Sequence, residues 1–166
     1  GVCGSGVAVL RMGGWGSLVY RAGHSDGGKG KELTLKRRHR KDWDKDGGEE
    51  SYIYMDGQAV FKFAVRKVPE IIEEVLDRAG IGIDEIDYFV LHQANRRIIE
   101  AAAKRLKTDI TKFPMNLEEY ANTSAATVPI LLDEMNREGS LHKGQKIMLA
   151  GFGAGLTWAA CLFEWK

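Results

Sequence analysis

Residues Asp87–Leu91 (Asp-Tyr-Phe-Val-Leu) form a short, largely apolar run rich in β-formers, set between two stretches of helical periodicity. A strand that is apolar at successive positions has to be covered on both faces, which suits a buried parallel strand. The flanking segments supply the cover. Before it, Phe61, Ala64, Val65, Val68, Ile71, Ile72, Val75, Leu76 and Ala79 recur at three- and four-residue intervals, the stripe of an amphipathic helix. Gly80 ends that stripe. Pro69 lies inside it and removes one backbone hydrogen bond, so a bend or two helical pieces are expected. After the strand, Ile98, Ala101, Ala102 and Leu106 share one helical face while Arg97 and Lys104 share another.

Further along, Asn122-Thr123-Ser124 offers helix-capping chemistry. Ala125 to Met135 is apolar almost all round, apart from Thr127, Asp133 and Glu134, and a helix of that kind needs burial on several sides. Lys146–Leu149 and Leu156–Trp165 are β-type runs joined by Gly151-Phe152-Gly153-Ala154-Gly155, which reads as an antiparallel pair with a glycine-rich connection. Near the start, Val7–Met12 and Ser17–Arg21 read as short strands. From His24 to Glu50 the composition turns to Gly, Lys, Asp and Arg, with only Glu32–Leu35 strand-like, so a long surface excursion over about 24–50 is expected. The pattern predicts an α/β domain, a mixed and mainly parallel sheet packed by helices and closed by an antiparallel strand pair. At 166 residues, one domain with one core is sufficient.

Charge and cysteine usage narrow the function classes. The net charge of +1 argues against a dedicated nucleic-acid or membrane binder, because binding to phosphates needs an excess of Lys and Arg. The basic block Lys36, Arg37, Arg38, Arg40, Lys41 is followed at once by Asp42, Asp44, Asp46, Glu49 and Glu50, the mark of a solvated loop. No apolar run approaches the ~18 residues of a membrane span. No basic-then-apolar leader is seen, and a cytoplasmic location is the expectation. Cys3 and Cys161 show neither metal-ligand spacing nor a disulfide framework, and no metal site is expected.

In open α/β sheets ligands gather beyond the carboxyl ends of the strands. His92 stands at that end of the Asp87–Leu91 run, Asn122 precedes the apolar helix, and the glycine loop links the last two strands. Taken singly each has an ordinary explanation: a hydrogen-bonded histidine, a helix cap, a hairpin loop. Together and in order, His92-Gln-Ala-Asn95, then Asn122-Thr-Ser-Ala-Ala-Thr-Val-Pro129, then Gly151-Phe-Gly-Ala-Gly-Leu-Thr-Trp158 resemble the C-terminal half of beta-ketoacyl-acyl-carrier-protein synthase III, a condensing enzyme of thiolase-like fold. Met55-Asp-Gly-Gln-Ala-Val-Phe61 extends the resemblance, which is weakest over 24–50.

What the resemblance implies is an acyltransferase of fatty-acid biosynthesis initiation. An acyl group passes from acyl-CoA to a cysteine, and malonyl-ACP is decarboxylated so that its carbanion attacks the acyl thioester. Losing carbon dioxide puts negative charge on the thioester oxygen, and two neutral N–H donors aimed there form an oxyanion hole. The resemblance assigns those roles to His92 and Asn122. It places Asn95 by the pantetheine channel, Phe61 on the wall of the site, and the Phe152, Gly153, Ala154 backbone near the acyl thioester. It assigns Arg97, Lys104 and Arg105 to contact with the acidic acyl carrier protein, where such charges steer encounter. No cofactor beyond the substrates is implied.

Some positions depart from the family pattern. The nucleophilic cysteine of the family lies upstream of every residue here, and Cys3 has no neighbouring base or cation to activate it. The expectation is that this chain needs a cysteine-bearing N-terminal half and is inactive in condensation alone. Ala159 stands where a glycine commonly follows the tryptophan, and its methyl group is expected to crowd a buried strand. The faces around Asn122–Met135 are expected to be apolar, favouring self-association or a homodimer. The rival readings are a non-catalytic carrier-binding module and a related polyketide-type acyltransferase.

Overall fold

The computed structural model describes residues 18–35 and 53–166. The strand expected over Val7–Met12, Cys3, and the charged blocks of residues 36–50 lie outside the described residues. Among the described residues, six strands and four α-helices are found in the order β1 (Leu18–Ser25), β2 (Leu33–Leu35), β3 (Ile53–Met55), α1 (Gly57–Ala79), β4 (Tyr88–Leu91), α2 (Arg96–Arg105), α3 (Leu117–Tyr120), α4 (Thr127–Arg137), β5 (Lys146–Gly153) and β6 (Thr157–Glu164).

The main sheet runs β1-β6-β5-β4. It is mixed, as expected, but its balance differs. Only β4 and β5 are parallel, while β5 with β6 and β6 with β1 are antiparallel. A majority of parallel pairings is therefore not what the described strands show. The reason lies in β1, whose Tyr20 to Ser25 pair back onto Leu162 to Thr157 and add a second antiparallel neighbour to the closing pair.

Helix α1 forms because its apolar stripe is bounded by strong end signals. The Asp56 side chain accepts from the backbone N–H groups of Gln58 and Ala59 at 3.1 and 3.0 Å. At the other end Gly80 takes the left-handed conformation (φ 66°), and the Ile81 N–H reaches the Leu76 carbonyl at 3.1 Å. Pro69 does not divide the helix, which is one element from Gly57 to Ala79. Pro69 is buried, and its neighbours along the helix Val68, Ile71 and Ile72 belong to the core, so tertiary packing holds the turn that lacks an N–H.

Two cores sit on opposite faces of the sheet. On one, Val68, Ile71, Ile72 and Val75 of α1 and Ile99, Ala102 and Ala103 of α2 meet Phe89, Leu91, Met148, Ala150, Ala160 and Leu162. Phe89 stacks on Phe113 there at 4.7 Å between ring centres. On the other, Leu131, Leu132 and Met135 of α4 cover Val90, Ile147 and Phe163. The alternation of Phe89 and Leu91 with Val90 between the two cores is what a strand buried on both sides requires.

Three local expectations are corrected. Residues 24–35, expected within a surface excursion, carry more regular structure than their composition suggests: β1 continues to Ser25, the Asp26 N–H bonds the Leu156 carbonyl at 2.8 Å, and Leu33–Leu35 pair with Met55–Ile53. Gly151, Phe152 and Gly153 belong to β5, paired with Ala159, Trp158 and Thr157, so the connection shrinks to Ala154–Leu156. Within it Gly155 has φ 139°, and a Cβ there would lie 2.7 Å from Thr157 Cγ2, which only glycine avoids. Ala159 is exposed and crowds nothing among the described residues, because its side chain borders an open apolar depression of about 600 Å³ on the α4 side of the sheet.

Apolar surface lies around α4 and also away from it. In α4, Leu131, Leu132 and Met135 are buried and Val128, Pro129 and Ile130 half-buried. The conspicuous exposed apolar side chains are Ile53, Tyr54 and Met55, successive residues of β3.

Candidate active site

Strand β4 ends at Leu91, and the next backbone N–H, that of His92, donates to the Ala150 carbonyl at 2.8 Å. The parallel ladder thus carries His92 one step past the strand and fixes where its side chain starts. Its Nδ1 lies 2.6 Å from Thr127 Oγ1. The edge of the ring faces Phe152 of β5, 5.5 Å between centres and 69° between planes. Gly151 leaves room beside it, since a Cβ there would sit 3.6 Å from His92 Cβ. Burial pushes the His92 pKa below its ordinary value of 6.5, because removing water disfavours the imidazolium. Near neutral pH the ring is therefore uncharged.

Asn122 precedes α4 and is exposed. Its Oδ1 accepts from the Ser124 N–H at 2.9 Å, an Asx turn that begins the helical turn Ser124–Ala126 leading into α4. Thr127, the first residue of α4, touches both the Ser124 carbonyl (3.0 Å from Oγ1) and His92. His92, Thr127, Ser124 and Asn122 are joined by consecutive hydrogen bonds. With its carbonyl oxygen held by Ser124, the Asn122 carboxamide has its NH2 end left to donate to a ligand. Two residues beside Asn122 hold unusual backbone: Ala121 (φ 53°, ψ −157°) and Ser124 (φ 58°). Such conformations cost non-glycine residues about 1–3 kcal/mol each and are kept where the surroundings over-determine them.

A second layer holds both loops. Gln93 is fully buried; its Nε2 donates to the Leu91 carbonyl at 2.7 Å and its Oε1 accepts from the Asn116 N–H at 3.3 Å. Asn116 Nδ2 in turn donates to Glu134 Oε2 of α4 at 2.8 Å. The end of β4, the segment before α3, and α4 are thereby stitched together. Neither Gln93 nor Thr127 stood out in the sequence as a site residue. The signal for Thr127 was a lone hydroxyl at the head of an apolar helix, and for Gln93 its place between two residues that were singled out.

The remaining candidates fall in three places. Phe152 and Gly153 line an open depression of about 780 Å³ together with Gly23, His24 and Trp158, while Ala154 is exposed at the connection next to it. Asn95 caps α2, its Oδ1 accepting from the Arg97 N–H at 2.8 Å, so that oxygen is committed to the helix. Phe61 stands in the first turns of α1, half-buried, and the Arg97 guanidinium lies over its ring at 5.2 Å. Arg97 of α2 is thus packed on Phe61 of α1. Lys104 and Arg105 are exposed in the last turn of α2, about 10 Å along the helix axis, and Arg105 reaches Glu70 at 3.4 Å.

Among the described residues no group of His, Cys, Asp and Glu is placed to hold a metal ion. Among the described residues no helix is long and apolar enough to cross a membrane either.

Residues 76–165 match the family described as the C terminal of 3-oxoacyl-[acyl-carrier-protein (ACP)] synthase III. Beta-ketoacyl-[acyl-carrier-protein] synthase III of Clostridium acetobutylicum is 41% identical over 172 residues, covering 96% of this chain and 53% of that protein. Among solved structures, synthase III of Thermus thermophilus superposes with a TM-score of 0.82 at 36% identity, over 96% of this chain and 49% of that one. The priming beta-ketosynthase of the R1128 polyketide biosynthetic pathway superposes with a TM-score of 0.81 at 29% identity, over 90% and 45%. The chain spans about half the length of the curated relatives it matches. With its mixed sheet, its helices on both faces and its matched motifs, the chain belongs to the beta-ketoacyl-[acyl-carrier-protein] synthase III family and corresponds to the C-terminal half of its thiolase-like fold.

Proposed function

We propose that residues 1–166 act as one unit, the decarboxylating half of a beta-ketoacyl-ACP synthase III in the initiation of fatty-acid biosynthesis. The observation that carries this reading is the run of hydrogen bonds from His92 through Thr127 and Ser124 to Asn122, beside Phe152 at the carboxyl end of β4. In the proposed step the bond between the malonyl carboxylate carbon and C2 breaks and carbon dioxide leaves. Its electron pair forms the thioester enolate, whose oxygen takes hydrogen bonds from His92 Nε2–H and Asn122 Nδ2–H. A neutral ring suits this role, and the burial of His92 favours it. The enolate carbon then attacks the acyl thioester, a C–C bond forms, and the cysteine thiolate departs.

That cysteine is proposed to come from an N-terminal half, the acyl group from acyl-CoA, and the malonyl group from malonyl-ACP. The reading asks for no cofactor, since two N–H donors meet the charge that develops. Phe61, Asn95, Phe152, Gly153 and Ala154 would border the pantetheine arm. Arg97, Lys104 and Arg105, exposed along α2, would meet the acidic carrier. The exposed β3 side chains Ile53, Tyr54 and Met55 favour self-association, with a homodimer as the proposed assembly in the cytoplasm.

The test is malonyl-ACP decarboxylation by the chain alone and with a cysteine-bearing half supplied. Release of carbon dioxide that depends on the added half and is lost in His92→Ala supports the enzyme. The exposed basic face of α2 favours one other reading, a carrier-binding module without chemistry, and carrier binding with no release under either condition would establish it. Similarity to the R1128 priming enzyme supports a polyketide variant, separable by the acyl primer accepted.

A further inference from the structure

The resemblance places the carrier-facing charges on α2 alone, yet α1 lies alongside it. The Arg97 guanidinium rests over the Phe61 ring at 5.2 Å and Arg105 reaches Glu70 at 3.4 Å, so the two helices run side by side in the same direction. Charge along α1 is sorted. Lys62, Arg66 and Lys67 fall in its first half, and Glu70, Glu73, Glu74 and Asp77 follow. The basic half is the one beside the first turn of α2, which begins just after the His92–Asn95 loop.

Glu70 stands at the boundary between the two halves. Its carboxylate accepts from Lys67 Nζ at 2.7 Å, and Arg105 pairs with its other oxygen. The Lys67 hydrogen bond, and then the charges of Lys67, Arg105 and Arg66, hold this carboxyl below its ordinary value of 4.5. Arg66 is thus near enough to act on Glu70, yet it is exposed and forms no ion pair among the described residues. Its guanidinium is available to an acidic partner, whereas Arg105 must first leave Glu70. Ion pairs at a protein surface are weak, so an incoming carboxylate can take Arg105 over. The charge of Glu70 nevertheless stays on that surface and opposes acidic groups. We propose that acyl carrier protein docks astride α1 and α2, with Arg66 as a contact residue and Glu70 as a built-in competitor for Arg105. That the partner is this carrier rests on the function proposed above, and its acidity is what the sorted charges of α1 fit.

The experiment measures stopped-flow association and affinity of fluorescently labelled acyl carrier protein with the chain assembled with a cysteine-bearing half. Arg66→Glu is expected to lower the on-rate about tenfold in about 0.1 M salt, the low end of electrostatic steering, and to match the wild type near 1 M. Arg137→Glu makes the same charge change on α4, across the sheet, and should stay within about twofold of the wild type at the lower salt, where charges more than about 10 Å away are screened. Glu70→Gln should tighten carrier binding, and its gain should be at least about twofold smaller in an Arg105→Ala background. In malonyl-ACP decarboxylation the Arg66→Glu defect should appear in KM rather than kcat. A wild-type on-rate for Arg66→Glu in about 0.1 M salt overturns the proposal, as does an equal loss in Arg137→Glu. Equal gains from Glu70→Gln with and without Arg105 overturn the competition. Charge-dependent docking by a protein that releases no carbon dioxide upholds this surface and removes the chemistry. Release from carrier-free malonyl-pantetheine without any carrier binding does the reverse.

Discussion

Replacing Gln93 by leucine is the perturbation that best connects the fold to the candidate site. The two side chains are alike in size, so no large cavity forms, and the effect is confined to polar contacts. Gln93 is fully buried, and the substitution removes the donor to the Leu91 carbonyl and the acceptor of the Asn116 N–H. The first loss is worth about 0.5–1.5 kcal/mol, and the second strands a buried donor at about 1–3 kcal/mol. Together they predict a destabilisation of about 1.5–4.5 kcal/mol, at about 2–4 °C of Tm per kcal/mol for a chain of this size. The measurement is thermal or urea unfolding of Gln93→Leu beside the wild type in the same preparation. Because Gln93 also ties the end of β4 to Asn116, and Asn116 to Glu134 of α4, the variant should lose decarboxylation as well. A Tm within about 1 °C of the wild type would refute the reasoning, since buried groups left without partners always carry that cost.

Three further outcomes follow from the same geometry. Burial lowers the His92 pKa, so between that lowered value and 6.5 the unfolded chain binds more protons than the folded one. The stability His92 contributes is therefore complete above pH 6.5 and is lost as pH falls through the folded pKa, and unfolding measured against pH should show a weaker acid-side decline in His92→Gln than in the wild type. Gly155→Ala forces a Cβ to 2.7 Å from Thr157 Cγ2 at φ 139° and should cost about 1–3 kcal/mol, read as a lower urea midpoint at an unchanged slope. Arg97→Glu should slow association with acyl carrier protein and flatten its salt dependence in stopped-flow measurements, and equal on-rates for both proteins would count against the docking role of α2.

Much of this arrangement was legible before any coordinates, for reasons specific to each element. The Asp87–Leu91 run and its flanking periodicities determine a strand with a helix on either side because apolar spacing reports burial directly. His92 was legible for a similar reason, as the residue that follows such a strand. What escaped were relations between distant segments. That β1 would pair with β6, and so tip the sheet toward antiparallel, depends on partners more than a hundred residues apart in the sequence. The extension of β5 through Gly151–Gly153 was hidden because glycine has low strand propensity, and a register supplied by Thr157–Ala159 overrides it. Pro69 shows the same dominance of packing over local preference. Thr127 was noticed only as an exception in an apolar helix, since its worth lies entirely in the atom it faces.

The conformations of Ala121 and Ser124 have a consequence for anyone altering this protein. Ala121, with φ 53° and ψ −157°, occupies ground that is natural to glycine alone, so Ala121→Gly should raise the unfolding midpoint by relieving that tension. The same change would loosen the backbone immediately before Asn122, whose carboxamide is proposed to meet the enolate. Selection for heat resistance and selection for turnover would then pull this single position in opposite directions, the compromise between durability and performance being written into one methyl group.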